Sequence, residues 1–508
     1  MSIQFVDYPM PPALVLNLRD QNPWWQAAAM PNVPRYRRWP YKRIMSWLRN
    51  PKPLAPILAM RGPRQVGKSS LQLQVIQTLL HDGIAPERIF RVQFDELASL
   101  EQIPGKDDPI LRIADWFSRA ILQQHFNAAA NAGAPAFLFF DEVQNLPSWH
   151  VQLKSLVDHA SVRAMITGSS ALQIERGRDS LAGRIQTLEI GPLRLTEIAA
   201  IRGWEELPPF QPDNGLDAWI SAEFWSELVK HARNRSAHLE RVFKAFSDRG
   251  AYPMPHANPD APWADIADFL NETVVERVIQ HDLQAEHRGD NVNATLMRDV
   301  FRMVCRCAGQ APRPARISQE TNLQLSSGLS QTNARQISSC LAALDQSLLI
   351  RTIDPLEARR KPVHGSKKLT LCDHVLRAAM LRELIPLVPS ELDQSPPNVQ
   401  TDAGFLADST VGYYLASLTN KSIGHLPGGE DVHEVDYVVT IGEKRIPIEV
   451  KYRSAPDASS AKGLAAFLDN PLNNAPLALF VTRDFEPAVP IQDPRIVCVP
   501  LPALLLLR

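Results

Sequence analysis

Long apolar runs are missing from this sequence of 508 residues: the longest, such as Ala136–Phe140 and Leu504–Leu507, fall far short of a membrane span. No charged start leads into an apolar stretch, so no signal peptide and no membrane association are expected. Cysteine is scarce. The five present (Cys305, Cys307, Cys340, Cys372, Cys498) make no disulfide framework, and Cys305-x-Cys307 lacks the second pair that a structural zinc site needs. A reduced, cytoplasmic setting is expected. Net charge is also nearly absent at −1, which excludes a globally basic nucleic-acid binder and leaves only local patches. One such patch exists: Asn291–Thr370 carries twelve Arg or Lys against five Asp or Glu. By itself such an excess is equally a solvated face.

What is present is the composition of a globular protein, with 45% hydrophobic and 21% charged residues, in a chain too long for one core. Punctuation by Pro, Ser and Gly divides it into five segments. Residues 1–55 form a Pro- and Trp-rich extension. Its stretch Arg35–Arg43 interleaves cations with aromatics, either for nucleic-acid stacking or for docking on the next domain. Residues 56–200 alternate short apolar strands with helical stretches, the pattern of an α/β domain with a parallel sheet. Its expected strands are Ile57–Met60, Ile89–Phe94, Phe137–Phe140, Ala164–Thr167 and Gln186–Ile190. Residues 201–262 read as a helical lid and linker, 263–387 as a helical domain ending in extended chain, and 388–508 as a further α/β domain. The last has expected strands at Val435–Thr440, Arg445–Lys451 and Leu477–Thr482.

The segment Gly62-Pro63-Arg64-Gln65-Val66-Gly67-Lys68-Ser69, followed by Ser70, fits G-x-x-x-x-G-K-[ST] in full. It follows a strand and opens the apolar-periodic stretch Leu71–Leu80, the context a P-loop needs. Backbone N–H groups then curl around phosphates, Lys68 neutralises the β/γ oxygens and Ser69 ligates Mg²⁺, so ATP and Mg²⁺ are the expected cofactors. Further on, the apolar strand Ala136–Phe140 runs into Asp141-Glu142. There Asp141 belongs beside Mg²⁺, and Glu142 is placed to polarise the attacking water, as hydrolysis requires.

Phe140-Asp-Glu-Val-Gln144 with Leu146-Pro-Ser-Trp149, Ile166-Thr-Gly168-Ser169-Ser170, Ser180-Leu-Ala-Gly183-Arg184 and Gly191-Pro-Leu193 resemble a prokaryotic family of AAA-type P-loop ATPases. Members carry a C-terminal winged helix and a restriction-endonuclease-like PD-(D/E)xK domain, which gives the expected fold class. The resemblance implies that Ser169 senses the γ-phosphate and that Arg184 is an arginine finger, with a plain salt bridge as the alternative and Arg176 and Arg178 near enough to share the role. It also implies closure of the ATPase core between subunits of a homo-oligomer.

Two further constellations lie beyond the ATPase segment. Ile317–Asn322, Gly328–Thr332 and Ile337–Leu344 read as two helices and a polar turn, with Ser330 as N-cap of the second. Arg335 and Gln336 then decorate a recognition-type helix, and Arg359, Arg360 and Lys361 form a basic wing between strands at Leu348–Ile353 and Lys368–Leu371. This is similar to the family's winged helix, so DNA is the expected partner, although such modules also contact proteins. In the C-terminal segment, Asp436 on one strand and Glu449-Val-Lys451 on the next share one face, because side chains alternate. Asp436 and Glu449 are candidate metal ligands. Together with Lys451, and with Asp408 where the family has Glu, they resemble a nuclease set. The sequence therefore predicts an ATPase acting on DNA. An ATP-gated nuclease in defence against foreign DNA, or a nucleotide-dependent signalling switch with a protein partner, are the alternatives.

Overall fold

The computed structural model describes residues 10–26, 30–50, 52–97, 108–168, 180–210, 216–283, 294–324, 334–358, 361–362, 365–418, 422–429, 433–453, 458–485 and 491–507. Contacts divide the chain into two compact units, Met1–Ile190 and Gly191–Arg508. Among the described residues no helix is long and apolar enough to cross a membrane.

The first unit is built on five parallel strands: β1 (Ile57–Arg61), β2 (Ile89–Gln93), β3 (Ala136–Asp141), β4 (Val162–Gly168) and β5 (Ile185–Glu189). Their order is β2-β3-β4-β1-β5. All five strands read from the sequence are therefore present. β3 is buried at every position, which is why it reads as an unbroken apolar run rather than an alternating one. Because the strands are parallel, the turns after β1, β3 and β4 open on the same edge of the sheet, where α/β folds bind ligands.

The N-terminal extension is part of this unit's core. Leu14 and Leu18 are fully buried in one cluster with Phe90 and Phe117, and Trp25 stacks on Phe117 at 5.9 Å between ring centroids. Helix Pro40–Arg49 buries Tyr41, Ile44, Met45, Trp47 and Leu48, and Tyr41 Oη lies 2.5 Å from Thr78 Oγ1. Of the two readings of Arg35–Arg43, docking is the one these contacts favour.

The second unit begins with helices Leu195–Ile201, Ala222–Arg233, Ser236–Arg249 and Trp263–Leu270. Helices Ala294–Arg306, Pro314–Gln324 and Ala334–Gln346 follow. An antiparallel pair, β6 (Ile350–Ile353) with the later β9 (Lys368–Leu371), then encloses a shorter pair, β7 (Glu357–Ala358) with β8 (Lys361–Pro362). After helices His374–Leu381 and Pro397–Ser417 comes a mixed sheet of β10 (Ser422–Leu426), β11 (Val435–Ile441), β12 (Lys444–Lys451), β13 (Ala478–Thr482) and β14 (Ile496–Pro500). β10 to β12 are antiparallel, β12 to β14 parallel, and helix Lys462–Asp469 lies in the crossover between β12 and β13.

β10 and β14 go beyond the strands read from the sequence. β10 is Ser-Ile-Gly-His-Leu, too polar to read as extended. Its backbone is stitched to the chain just after β6: Leu356 N–H donates to His425 C=O at 2.8 Å and His425 N–H to Asp354 C=O at 3.1 Å. The apolar tail Leu501–Leu507 is buried, with Phe210 N–H donating to Leu506 C=O at 2.9 Å.

Candidate functional site

β1 ends at Arg61, whose guanidinium is held by Glu189 of β5 at 2.9 Å. The chain then turns through Gly62–Gly67 into helix Lys68–His81. A Cβ at residue 62 would lie 2.1 Å from Ile190 C=O, so glycine is required there by the close approach of backbone. Gln65 (φ 61°) and Gly67 (φ 90°) are left-handed, which curls the loop. Lys68 is buried and donates through Nζ to Gly62 C=O at 2.9 Å and Pro63 C=O at 2.8 Å, so its ammonium sits within the loop formed with Arg64 and Val66. Ser69 and Ser70 occupy the first helical turn. From outside the motif, the buried Arg38 braces the loop by donating to Val66 C=O at 2.6 Å. The P-loop residues thus offer the curled backbone, lysine and hydroxyl that a nucleotide triphosphate with Mg²⁺ needs.

Asp141 closes β3 on the same edge and is fully buried. Each of its carboxylate oxygens has a partner: Thr167 Oγ1 donates to Oδ1, and Arg91 Nη2 to Oδ2 at 3.2 Å. Glu142 follows in a left-handed conformation (φ 55°). Its N–H donates to Thr167 Oγ1 at 3.3 Å and its carboxylate accepts from Gln144 Nε2. A third acid, Asp95 just past β2, has its carboxyl raised above the ordinary value by burial and then by the charges of Glu142 and Asp141.

Thr167 and Arg91 are residues that motif reading missed. Phe140 pairs with Ile166, so the next residues, Asp141 at the end of β3 and Thr167 one before the end of β4, come side by side. Polar Thr167 near the end of an apolar strand was the available signal. For Arg91 the signal was a cation inside the apolar strand Ile-Phe-Arg-Val-Gln; it is buried and also donates to Gln72 Oε1 at 3.1 Å and Gln93 Oε1 at 2.7 Å.

Arg184 is not brought to this edge. It immediately precedes β5, its C=O accepts from Ile57 N–H at the start of β1, and its guanidinium forks onto Asp158 at 2.5 and 3.1 Å. The length of β1, roughly 16 Å at about 3.3 Å per residue, separates it from the P-loop, so Arg184 does not reach the P-loop of its own chain. Ser169, Arg176 and Arg178 lie outside the described residues.

The C-terminal acids do meet, and with an unforeseen partner. Asp408 on helix Pro397–Ser417, Asp436 on β11 and Glu449 and Lys451 on β12 surround Lys368 of β9. Lys368 is 3% exposed and its Nζ lies 2.8 Å from both Asp408 Oδ2 and Asp436 Oδ1. Tyr437 Oη donates to Asp408 Oδ1, Val450 N–H to Asp436 Oδ2 at 2.8 Å, and Lys451 Nζ to Glu449 Oε1 at 2.5 Å. Among the six carboxylate oxygens only Glu449 Oε2 is without a protein partner. At the pair expected to hold a metal, Asp436 and Glu449, the cation beside Asp436 is thus the Lys368 ammonium.

Charges explain the arrangement. Burial pushes Asp408 and Glu449 up to about 7, whereas for Asp436 burial is outweighed by Lys368 and Lys451 and its carboxyl falls below the ordinary value. Burial also opposes the charge on Lys368, but Asp408 and Asp436 outweigh it and its ammonium is held charged.

In the candidate DNA-contact segment, Ile337, Cys340 and Leu344 bury one face of helix Ala334–Gln346, and Arg335 is exposed with Gln336 half-buried beside it. Lys361 begins β8, while Arg359, Arg360 and the residues around Ser330 lie outside the described residues.

Comparison with known proteins bears most directly on the first site. Residues 55–199 match the AAA domain, residues 242–384 a domain of unknown function (DUF8612), and residues 406–504 another (DUF4143). No curated protein sequence matches the chain. Among solved structures, a Walker-type ATPase of Pyrococcus abyssi is 12% identical with a TM-score of 0.38, over 67% of this chain and 94% of that one. The Orc1 protein of Aeropyrum pernix in complex with DNA is 12% identical with a TM-score of 0.24, over 68% and 91%. The AAA match at residues 55–199 and the complete P-loop on a parallel five-stranded sheet together support an AAA-type P-loop fold for that segment.

Proposed function

We propose that the chain hydrolyses ATP with Mg²⁺ and couples that cycle to DNA. The observation that carries the reading is the meeting of Lys68, Asp141 and Glu142 on the edge where β1 and β3 end. Bound ATP and Mg²⁺ would supply the phosphoryl group and the charge that loosens its bond. The loop N–H groups and Lys68 would hold the phosphate oxygens, Ser69 and Asp141 would hold the metal, and Glu142 would take the proton of the attacking water. Thr167 and Arg91 orient the Asp141 carboxylate, and Gln144 orients Glu142.

Arg184, at the opposite end of the sheet from its own P-loop, is suited to act on a neighbouring copy, which calls for a homo-oligomer. Three helices followed by β6, the basic wing and β9 support a winged helix, and the local charge excess favours DNA over a protein partner. The order of helix Pro397–Ser417, three antiparallel strands, a crossover helix and a parallel strand supports a restriction-endonuclease-like architecture for the C-terminal domain. Steady-state ATP hydrolysis by parent, Lys68→Ala and Glu142→Gln, with and without single-stranded, duplex and branched DNA, tests the reading. Lys68→Ala should lose ATP binding, Glu142→Gln should bind ATP without turning it over, and DNA should stimulate the parent. Turnover by Glu142→Gln at the parent rate would overturn the assignment of the base, and indifference to every DNA would favour the signalling switch.

A further inference from the structure

We propose that Lys368 is the resident cation of the C-terminal carboxylate site: its ammonium stands between Asp408 and Asp436 in place of a divalent metal, so this site neither binds Mg²⁺ or Mn²⁺ nor cleaves nucleic acid by metal catalysis while β9 is seated.

Three observations carry this. The ammonium bridges one oxygen from each of two carboxylates on different elements, at 2.8 Å each, which is the bridging role of a metal ion in a two-acid site. The remaining oxygens of those acids accept from the Tyr437 hydroxyl and the Val450 N–H, so Asp436 cannot turn to a second cation without displacing a buried backbone donor. Finally, Lys368 is held at its ammonium and its strand is tied down beside it. Its Nζ stands 4.4 Å from the centroid of the Tyr437 ring. β9 is also fixed just past it, by Leu371 N–H donating to Ser409 Oγ at 2.9 Å and Gly309 N–H to Leu369 C=O at 2.8 Å. The lysine belongs to the wing hairpin rather than to the acid-bearing domain. The site therefore fastens one to the other, and Lys451, which grips Glu449, is left without a metal-bound water to orient.

Titration of Mn²⁺ into the full chain without nucleotide, followed by the electron paramagnetic resonance of free Mn²⁺, tests the proposal. The parent should show no saturable uptake. Lys368→Ala, which leaves two facing carboxylates without their cation, should gain a site at least about tenfold tighter than any in the parent. Adding Asp436→Asn should remove it. Saturable uptake by the parent that Asp436→Asn abolishes would overturn the proposal. So would a folded Lys368→Ala protein, melting cooperatively, that gains no uptake. Should Lys368→Ala fail to fold, the parent titration decides alone, and a plasmid-nicking assay provides a second readout: Mn²⁺-dependent nicking by the parent, lost in Glu449→Gln, counts against the proposal.

Discussion

The side-chain amide of Asn22 pairs with the backbone of Arg91 as a neighbouring strand would, its Oδ1 accepting from Arg91 N–H and its Nδ2 donating to Arg91 C=O, both at 2.7 Å. β2 is the outer strand of the sheet, and an exposed row of backbone groups there would invite pairing with another chain. Gln21 repeats the device two residues on: Gln93 N–H donates to its Oε1 at 2.8 Å and its Nε2 donates to Gln93 C=O at 3.2 Å. Trp24 Nε1 adds a bond to Ile89 C=O at 3.0 Å. The extension thus closes the edge with side chains.

Asn22→Ala leaves a buried N–H and C=O of Arg91 unpaired, and should cost about 2–4 kcal/mol of stability. Asn22→Asp keeps the acceptor but sets a carboxylate oxygen against the Arg91 and Leu18 carbonyls, which Nδ2 contacts at 2.7 Å each. It should therefore destabilise at least as much. Urea unfolding checks both, and an Asn22→Asp protein as stable as the parent would show that the edge is covered by other means.

Replacing Thr167 with Val removes the hydroxyl donor to Asp141 and the acceptor for Glu142 N–H at almost constant volume. ATP turnover should fall by roughly tenfold or more, with a raised Mg²⁺ requirement, because both acids lose their orientation. Thr167→Ser should retain most of the activity. If Val and Ser variants behave alike, the hydroxyl is not what positions the pair.

How far these features could be read beforehand follows from their range in the sequence. The strands of the first sheet and the P-loop are local patterns, each fixed by a few consecutive residues and by burial on both faces, so they were legible. Thr167 on Asp141 and Arg91 on Asp141 are set by which strands become neighbours, and no local pattern carries strand order. Asp408, Asp436, Glu449 and Lys451 could be grouped because three of them fall on one hairpin with alternating faces. Lys368 comes from β9, a strand that read as part of another module, and only the packing of β9 on helix Pro397–Ser417 and β11 brings its charge there. The β2 edge hid its partner for a further reason: Asn22 and Gln21 sit outside any strand, and act by side chains that mimic one.

Arg184 and Asp158 separate two roles for one arginine. Both side chains are about a third exposed, and such a pair contributes little to stability. If Arg184 acts on the nucleotide of a neighbouring copy, Arg184→Ala should lower kcat with nearly unchanged ATP affinity, while Asp158→Asn keeps kcat. Mixing Arg184→Ala with Glu142→Gln protein should partly restore activity. Equal losses in Arg184→Ala and Asp158→Asn would make the pair structural.

His256 gives the second unit an acid-sensitive element. It is buried, its Nε2 lies 2.8 Å from Gly250 C=O, and its Nδ1 accepts from Arg202 Nε at 3.2 Å, a pattern only the neutral ring satisfies. Burial accordingly lowers its pKa to about 4. The unfolded chain takes up the proton near the ordinary value, so the stabilisation is complete above about pH 6.5 and is lost as pH falls towards about 4, by up to about 3 kcal/mol. Melting temperature measured between these limits should drop with acid in the parent and more shallowly in His256→Gln. Parallel curves would place the acid sensitivity elsewhere.

The basic wing is the sharpest test of DNA as partner. In the sequence Arg359 and Arg360 follow β7 and Lys361 starts β8, while the chain before β7 is stitched through Asp354 and Leu356 to β10, so reversing their charge should leave the fold intact. Each lysine or arginine that meets a phosphate releases a counterion on binding, and the logarithm of affinity then falls with the logarithm of salt by about 0.9 per contact on duplex DNA. The triple change to Glu should weaken duplex binding and flatten that slope by up to about 3, with unchanged melting temperature. Arg335→Ala, on the exposed face of helix Ala334–Gln346, should instead act on sequence preference or add a smaller loss, as a side chain at a recognition helix does. Fluorescence anisotropy with a labelled duplex at several salt concentrations separates the two. A triple variant that keeps both affinity and slope would remove the wing from the interface, and with it the main reason for preferring DNA to a protein partner.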